Sequence, residues 1–248
     1  MSILSRIAVS LILLAACALA AAADPVPMYN YIDAPFILPD GGIGKDLTDY
    51  LNAKLAGKFT LHLSNVARSK LNYAVLNNPE FKGVVAFTNP AFLGDEGKTK
   101  YNWTDSFMTD ETQVVSTTAK PVDFKGDKAA LKGKTGGGIL GFVYKPMEPE
   151  LGTSIKRDDA ASDDKNLEKL LAGKIDFAIM NESAIKYLQT QPNFAGKFTV
   201  AKTPISKITR HLMVDKRAPA GLYEALEAIV KAMPNDPQWK AVLSKYGQ

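Results

Sequence analysis

The sequence of 248 residues predicts an α/β fold, and two observations carry this prediction. Short runs with the hydrophobic periodicity of strands alternate with runs of helical periodicity almost throughout the chain, which is the pattern of an α/β protein. The composition, 46% apolar and 23% charged, is that of an ordinary globular protein and excludes a disordered or collagen-like chain. The length allows one large domain or two small ones.

The helices and strands are predicted from short segments, taken in chain order. Apolar residues at helical spacing mark helices in the segments 47–55, 71–75, 167–171, 222–233 and 237–246. Runs rich in β-branched and apolar residues mark strands in the segments 83–87, 113–118, 175–180, 198–201 and 208–214. Asp164 is predicted to cap the third helix and Gly173 to end it. Pro219 and Pro237 are predicted to stand in the first turns of the last two helices.

The first 23 residues have the pattern of a secretory signal peptide. Arg6 is followed by a short apolar stretch and by small residues that end at Ala23, before the polar Asp24. We therefore expect cleavage after Ala23 and export to the periplasm. Residues 14–17, Leu-Ala-Ala-Cys, also resemble a bacterial lipobox, so an exported lipoprotein anchored through Cys17 is an alternative.

Charge and motif content exclude several classes of function. Thirty basic and 26 acidic residues give a net charge of +4, which is too balanced to predict a nucleic-acid partner. The Gly-Lys-Thr at 133–135 lacks the upstream glycine of a phosphate-binding loop, because position 128 is lysine. The single cysteine excludes an intrachain disulfide, and His62 and His211 have no carboxylate at ligand spacing. We predict no metal, no cofactor and no catalytic residue.

Five short motifs follow one another in a recognisable order. They are Tyr-Ile-Asp-Ala-Pro-Phe at 31–36, Gly-Lys-Asp-Leu at 44–47, Tyr-Asn-Trp-Thr-Asp-Ser-Phe at 101–107, Leu-Lys-Gly-Lys at 131–134 and Leu-Leu-Ala-Gly-Lys-Ile-Asp at 170–176. In this order they resemble the extracellular solute-binding proteins of family 3, the polar amino-acid type that serves importers driven by ATP hydrolysis. The resemblance covers nearly the whole chain after the leader.

The resemblance implies an α/β protein with two lobes, each a mixed sheet flanked by helices, in the type II periplasmic-binding-protein fold. Two crossover strands would join the lobes, near residues 112–118 and 207–214. The first lobe would then be discontinuous, 24–112 plus 208–248, and the second lobe would be 113–207. A ligand would lie in the cleft between the lobes, outside the carboxyl ends of the strands.

The amino-acid clamp of this family is not matched in the sequence. The resemblance implies a first-lobe arginine for the ligand carboxylate, and the corresponding segment 87–93 contains none. It also implies an aspartate for the ligand ammonium, at a place where this chain has Asn181 and Glu182. We therefore expect weak or no binding of the standard amino acids. The predicted ligand is another small polar metabolite, amino-acid-like or anionic, with Arg68 as its anion partner.

Residues from both lobes are predicted to line the cleft, namely Tyr31, Asp33, Phe36, Arg68, Thr88, Asn89, Trp103, Gly138, Ile139, Gly141, Phe142, Tyr144, Asn181 and Glu182. Each choice has a structural alternative. Arg68 could be a solvated surface residue, and the aromatic residues of the first lobe could belong to its core. Thr88 and Asn89 could cap a turn, residues 138–144 could form a glycine-rich turn without a ligand, and Glu182 could stabilise a helix N-terminus.

The predicted function is that of a periplasmic substrate-binding protein, a monomer that passes its ligand to the membrane permease of an ABC importer. Two alternatives stay open, a secreted accessory or sensor protein on the same fold and a periplasmic dehydratase-like enzyme. The enzyme would need an acid beside a carboxylate-binding arginine. Only Arg68 with Glu182 or Asp33 offers that combination.

Overall fold

The computed structural model of the protein describes residues 25–248, so the predicted leader and Cys17 lie outside the described residues. Within 25–248, no helix is both long enough and apolar enough to cross a bilayer. The described chain is a mixed α/β structure, which confirms the predicted fold class.

The first part of the chain builds most of one sheet. Its elements are β1 (Val26–Asn30), α1 (Ile43–Leu55), β2 (Leu61–Asn65), α2 (Arg68–Leu71), β3 (Val84–Thr88), β4 (Asn102–Trp103) and β5 (Met108–Thr117). The apolar stripe predicted for α1 is buried, and this helix ends because the next two residues have positive φ, 50° at Ala56 and 79° at Gly57. The second predicted helix is short, since α2 continues as a π-helical turn over Asn72–Leu76.

The middle of the chain contains β6 (Thr135–Gly137), β7 (Lys156–Arg157), α3 (Asp163–Leu171), β8 (Phe177–Asn181), α4 (Glu182–Gln189) and β9 (Phe198–Val200). The prediction that Asp164 caps α3 is wrong, because Ser162 has the extended backbone of the cap position. Asp164 instead lies in the first turn and accepts a hydrogen bond from the Ser162 hydroxyl. Gly173 follows the helix with φ 69°, as predicted.

The last part of the chain contains β10 (Ser206–Val214), α5 (Leu222–Ala232) and α6 (Pro237–Lys245). Pro219 precedes α5 instead of standing in its first turn, because Gly221 has φ 81° and the helix begins after it. Pro237 opens α6 as predicted, and the Asp236 carboxylate accepts a hydrogen bond from the N–H of Gln238 at 2.8 Å.

Two long strands connect the two halves of the sheet. The strand order is β2-β1-β3-β10-β5-β8-β6-β7, with β4 paired to β10 and β9 paired to β5. Residues 206–210 of β10 pair antiparallel with residues 108–112 of β5, whereas residues 211–214 pair with β3. The rest of β5 pairs with β8 and β9. Thus β5 and β10 are the two predicted crossover strands, and β5 begins at Met108, before the predicted segment.

The buried side chains form cores on either side of these crossover strands. One core combines residues from 26–108 with residues from 212–239. Two smaller cores contain residues between 114 and 198. Trp239 of α6 is 1% exposed, and its ring lies 5.7 Å from that of Tyr50 and 5.8 Å from that of Phe107. We call the part around the first core the first lobe and the part around the other two the second lobe.

Candidate ligand cleft

A cavity of about 210 Å³ lies between the two lobes, beside the crossover strands. Tyr31 follows the carboxyl end of β1, Asn89 follows β3 and Asn181 ends β8. Further lining residues come from the segments after β2, β3 and β6 and from the crossover strands β5 and β10. In open α/β sheets, ligands bind at this end of the strands, where loops from neighbouring strands converge. We call this space the cleft cavity.

Arg68 is the half-buried cation of the cleft cavity. Its guanidinium donates to Asn72 Oδ1 at 2.7 Å and to the Phe92 carbonyl at 3.1 Å, and it lies 5.4 Å from the ring centre of Tyr31. No carboxylate pairs with it among residues 25–248. A guanidinium has five N–H donors, so several remain free for an anion. Arg68 is therefore held in place by neutral partners and keeps its positive charge available.

Aromatic rings from both lobes form the apolar part of the lining. The rings of Tyr31 and Phe142 meet edge to face, with centroids 6.0 Å apart, across the space between the lobes. The Tyr31 hydroxyl donates to Thr88 Oγ1 at 3.0 Å. Burial raises the pKa of Tyr31 despite that hydrogen bond and the nearby Arg68 and Arg210, so the phenol is neutral at physiological pH. Phe92 and Tyr144 add two further rings to the wall.

The charged residues that line the cleft cavity are all basic. Arg68, Lys145, Lys207 and Arg210 line it, and none of its described lining residues is aspartate or glutamate. Lys145 pairs with Glu96 and Lys207 with Glu111 at the exposed rim. Exposed pairs of this kind contribute little and leave the cations available. The cavity is thus suited to a small molecule that combines an apolar body with an anionic group.

A buried ion pair between the two crossover strands lies next to the cleft cavity. Arg210 of β10 is 0% exposed and pairs with Asp110 of β5, donating through Nε at 3.1 Å and through Nη2. Its Nη1 donates to the Phe87 carbonyl at 3.1 Å, at a residue whose φ of 56° is unusual for a bulky side chain. Asp110 also accepts from the Ser183 hydroxyl at 2.6 Å. The pair therefore links both crossover strands, β3 and the start of α4.

Sequence reasoning missed Arg210 and Asp110. Each crossover strand contains charged residues, but nothing local indicated that two residues 100 positions apart would pair. It also missed Phe92, Lys145 and Lys207, because the lining of a cleft depends on how close the lobes come.

Six of the predicted site residues line the cleft cavity: Tyr31, Arg68, Asn89, Phe142, Tyr144 and Asn181. Among these, the Asn89 amide is already engaged in local structure. Its oxygen accepts from the Ala91 N–H at 3.0 Å, and its nitrogen donates to the Thr209 carbonyl at 3.1 Å. The turn-capping alternative therefore describes what this side chain does in the structure.

Three predicted residues of the first lobe are buried and do not line the cleft cavity. Thr88 is fully buried and accepts the Tyr31 hydroxyl. Phe36 packs edge to face on Phe87 at 4.7 Å, inside the core. Trp103 is 6% exposed and donates through Nε1 to Asp95 at 2.8 Å. Phe36 and Trp103 thus follow the core-packing alternative, because both side chains are buried in the first core.

The glycine-rich segment uses its N–H groups internally. The N–H of Gly138 donates to Asp159 at 3.1 Å, and that of Ile139 donates to the Tyr144 hydroxyl at 2.8 Å. A Cβ on Gly138 would lie 2.6 Å from the Tyr144 ring, so a side chain at this position would require the ring to move. Gly141, with φ 81°, brings the segment close to the backbone N of Ser69 in the first lobe. These N–H groups do not face the cleft cavity.

The two predicted carboxylates lie outside the cleft cavity. Glu182 opens α4 and pairs with Lys186 at 3.1 Å, in agreement with its helix alternative. Asp33 lies on a separate depression between the lobes, beside Asp163 and Asp164. The enzyme alternative would require one of them beside Arg68, and the structure places neither there.

No family model matches the chain, and no curated protein sequence is significantly similar to it. The fold, in contrast, matches many solved structures of two-lobed binding proteins. The ligand-binding core of GluR0 from Nostoc punctiforme, solved with L-glutamate, has a TM-score of 0.72 at 11% identity and covers 90% of this chain and 99% of that chain.

Two further binding proteins have a similar fold. A mutant of ArgBP from T. maritima has a TM-score of 0.70 at 15% identity, covering 89% of this chain and 94% of that chain. ArtJ, an arginine-, lysine- and histidine-binding protein of Geobacillus stearothermophilus, has a TM-score of 0.66 at 20% identity, covering 90% and 95%. At such identities the similarity establishes the fold. The chain has the two-lobed, type II periplasmic-binding-protein fold expected from its motifs.

Proposed function

We propose that the protein binds a small anionic solute between its lobes and serves as the substrate-binding protein of an ABC importer. The observation that carries this proposal is Arg68, a half-buried guanidinium with neutral partners on a cavity lined by aromatic rings and cations. The fold supports the transport role, since the similar structures include the substrate-binding protein of an amino-acid ABC transporter.

The ligand class follows from the charges of the cleft cavity. A carboxylate can take bidentate hydrogen bonds from Arg68, while the Tyr31 and Phe142 rings cover its apolar body. An α-ammonium group would meet Asn181 but no carboxylate among the described lining residues. We therefore propose a small organic acid without an amino group as the preferred ligand.

Isothermal titration tests this proposal on exported protein that has been unfolded and refolded to remove any bound solute. The panel contains the twenty standard amino acids and aliphatic, aromatic and keto carboxylic acids of matched size. We expect a carboxylic acid to bind at least tenfold more tightly than any amino acid. Micromolar or tighter binding of a standard amino acid would contradict the proposed ligand class.

Arg68→Ala identifies the anchor of the bound acid. Charge-assisted hydrogen bonds contribute about 1.5–3 kcal/mol, so the affinity should fall roughly ten- to hundredfold. Lys70→Ala is the matched control, because Lys70 is an exposed cation two residues away and outside the cavity lining. Equal losses in both variants would show that Arg68 acts only through general charge.

Export and cellular location are part of the same proposal. We propose that the mature protein begins at Asp24 in the periplasm. Intact-mass measurement of the exported protein checks this, and a lipid adduct on Cys17 would instead establish the lipoprotein alternative. We also propose a monomer, which light scattering of the exported protein measures.

The lobe boundaries, 24–112 plus 208–248 and 113–207, are proposed from the crossover strands and the cores. Residues 212–239 share one core with residues 26–108, so a chain that ends at residue 207 lacks part of the first core. We expect such a chain to show no cooperative unfolding of the first lobe in urea. Native-like cooperative unfolding of the truncated chain would refute these boundaries.

A further inference from the structure

A second depression between the lobes is acidic. It has a volume of about 370 Å³, and carboxylates enter it from both lobes. Asp33 comes from the loop between β1 and α1, and Asp163 and Asp164 come from the start of α3. None of the described residues that line it is lysine or arginine. We call this space the acidic depression.

Asp163 is the carboxyl of the acidic depression for which ionisation is least favourable. Its side chain is 7% exposed, and its Oδ1 is buried with no hydrogen-bond partner among residues 25–248. An ionised carboxylate at such a place loses its hydration and gains no partner, which is costly in free energy. A protonated carboxyl at the same place is neutral and avoids most of this cost.

No charged group around Asp163 in the described residues compensates the negative charge of its ionised form. Asp33 and Asp164 are like charges, and Asp110 is already engaged by Arg210 and Ser183. Tyr144 faces it as a phenol whose oxygen accepts the Ile139 N–H, and Tyr187 of α4 also lines the depression. Farther away, Asp159 is paired with Arg157 at 2.8 Å. Arg210 and Arg157 are therefore each committed to another carboxylate.

The titration of the two facing carboxyls agrees with this geometry. Burial, followed by the charges of Asp33, Asp164 and Asp110, raises the pKa of Asp163 well above its usual value. Burial and the charge of Asp164 raise the pKa of Asp33 to about 6. The charge of Asp33 on Asp163 and that of Asp164 on Asp33 act between the lobes, so this part of each effect depends on the two lobes being together.

We infer that closure of the two lobes takes up protons at the acidic depression, so that the closed arrangement is favoured at acidic pH and opposed at alkaline pH. The inference rests on the proposed function only in that the lobes must be able to separate. It names a chemical input, the proton, that acts on the closed arrangement independently of the ligand in the cleft cavity.

The sign follows from proton linkage. In open lobes both carboxyls would be hydrated and would ionise near the usual pKa of about 4. In the closed arrangement their pKa values are higher, so the closed arrangement binds more protons than the open one. Closure is therefore unopposed below about pH 4 and becomes less favourable as pH rises through about 6, where Asp33 ionises. A shift of two units corresponds to about a hundredfold change in the closure constant for one group.

Small-angle X-ray scattering of the ligand-free exported protein between pH 4.5 and pH 8 tests the inference. We expect a compact particle at pH 4.5 and a larger radius of gyration at pH 8. Nitroxide pairs attached through Lys58→Cys in the first lobe and Lys174→Cys in the second report the same change as an inter-lobe distance. An unchanged radius and an unchanged distance over this range would overturn the inference.

Two variants connect the change to these carboxyls. Asp163→Asn and Asp33→Asn each replace a carboxyl by a neutral group of the same shape, and each should leave the protein more compact than wild type at pH 8. Asp33 is only partly buried, so its variant serves if Asp163→Asn fails to fold. Asp40→Asn is the matched control in the same loop, because Asp40 is exposed and outside the depression.

The outcomes separate this inference from the proposed function. If both asparagine variants open at pH 8 as the wild type does, the acidic depression is not the source of the pH dependence and the inference is wrong. Because no solute is present, failure to find a carboxylate ligand leaves this result unaffected. Conversely, a ligand that binds equally well at all pH values leaves the proposed function intact and counts against proton-linked closure.

Discussion

The two spaces between the lobes carry opposite charge. The cleft cavity is lined by Arg68, Lys145, Lys207 and Arg210, whereas the acidic depression is lined by Asp33, Asp163 and Asp164. One short segment serves both, since residues 31–32 line the cavity and residues 33–34 line the depression. Bringing the lobes together therefore gathers cations on one side of this segment and carboxylates on the other.

This contrast shows that burial has different consequences at the two places. In the cleft cavity, a bound anion would supply the missing opposite charge, so closure and binding would support each other. In the acidic depression, protonation of the carboxyls would remove the repulsion between their like charges. The buried pair of Arg210 and Asp110 shows the third arrangement, in which the chain supplies both charges itself.

The largest expected effect comes from breaking that self-contained pair. Arg210→Met leaves Asp110 buried without its cation, and loss of one partner of a buried ion pair costs about 3–5 kcal/mol. Urea unfolding followed by circular dichroism measures the change. Lys245→Met, which removes the exposed pair with Asp46, is the control and should cost at most about 1 kcal/mol. A loss of unfolding free energy below about 1 kcal/mol for Arg210→Met would show that the buried pair has little importance for stability.

The next effect links the two spaces through closure. If the depression takes up protons when the lobes close, the affinity for an acid in the cleft cavity should fall by about tenfold or more between pH 5.5 and pH 8. Asp163→Asn should remove most of this pH dependence, so that its gain in affinity over wild type is largest at pH 8. Titration calorimetry with the tightest acid of the panel measures both. A variant that keeps the wild-type pH profile would show that the two spaces are independent.

A smaller effect is expected from the close packing of Gly138 against the Tyr144 ring. In Gly138→Ala the new Cβ would lie 2.6 Å from Tyr144, so the ring must move, at a cost of about 1–3 kcal/mol in stability. The affinity for the acid should also decrease, because Tyr144 lines the cleft cavity. Gly97→Ala has its nearest neighbour at 3.6 Å and should change neither property. Unaltered unfolding of Gly138→Ala would mean that Tyr144 moves freely.

The smallest effect concerns the exposed cations at the rim of the cleft cavity. Lys145 and Lys207 have side chains that are 51% and 81% exposed, so their charges are screened by solvent and salt. Lys145→Ala and Lys207→Ala should each weaken acid binding by about fivefold at most, and the loss should shrink at high salt. Association rates measured at two salt concentrations check this. A loss as large as that of Arg68→Ala would move the anion anchor to the rim.

Local sequence rules predicted most of the secondary structure. The stripe of Leu47, Leu51 and Leu55 is the buried face of α1, and Asp236 with Pro237 opens α6. These features depend on helical periodicity and on backbone preferences within a few residues, which are properties of the sequence itself. The two wrongly predicted helix starts, at Asp164 and Pro219, are also local errors, because a neighbouring residue had the cap or positive-φ geometry.

The sequence also determined the fold, through the order of its motifs, and it identified Arg68 and Tyr31 as candidates for the cleft. It could not distinguish Tyr31, which lines the cavity, from Trp103, whose indole donates to Asp95 in the core. Periodicity tells which face of an element is buried but not what covers that face. Only the tertiary structure brought Arg210 to Asp110 and Asp33 to Asp163, because the first contact depends on pairing of the two crossover strands and the second on the approach of the lobes.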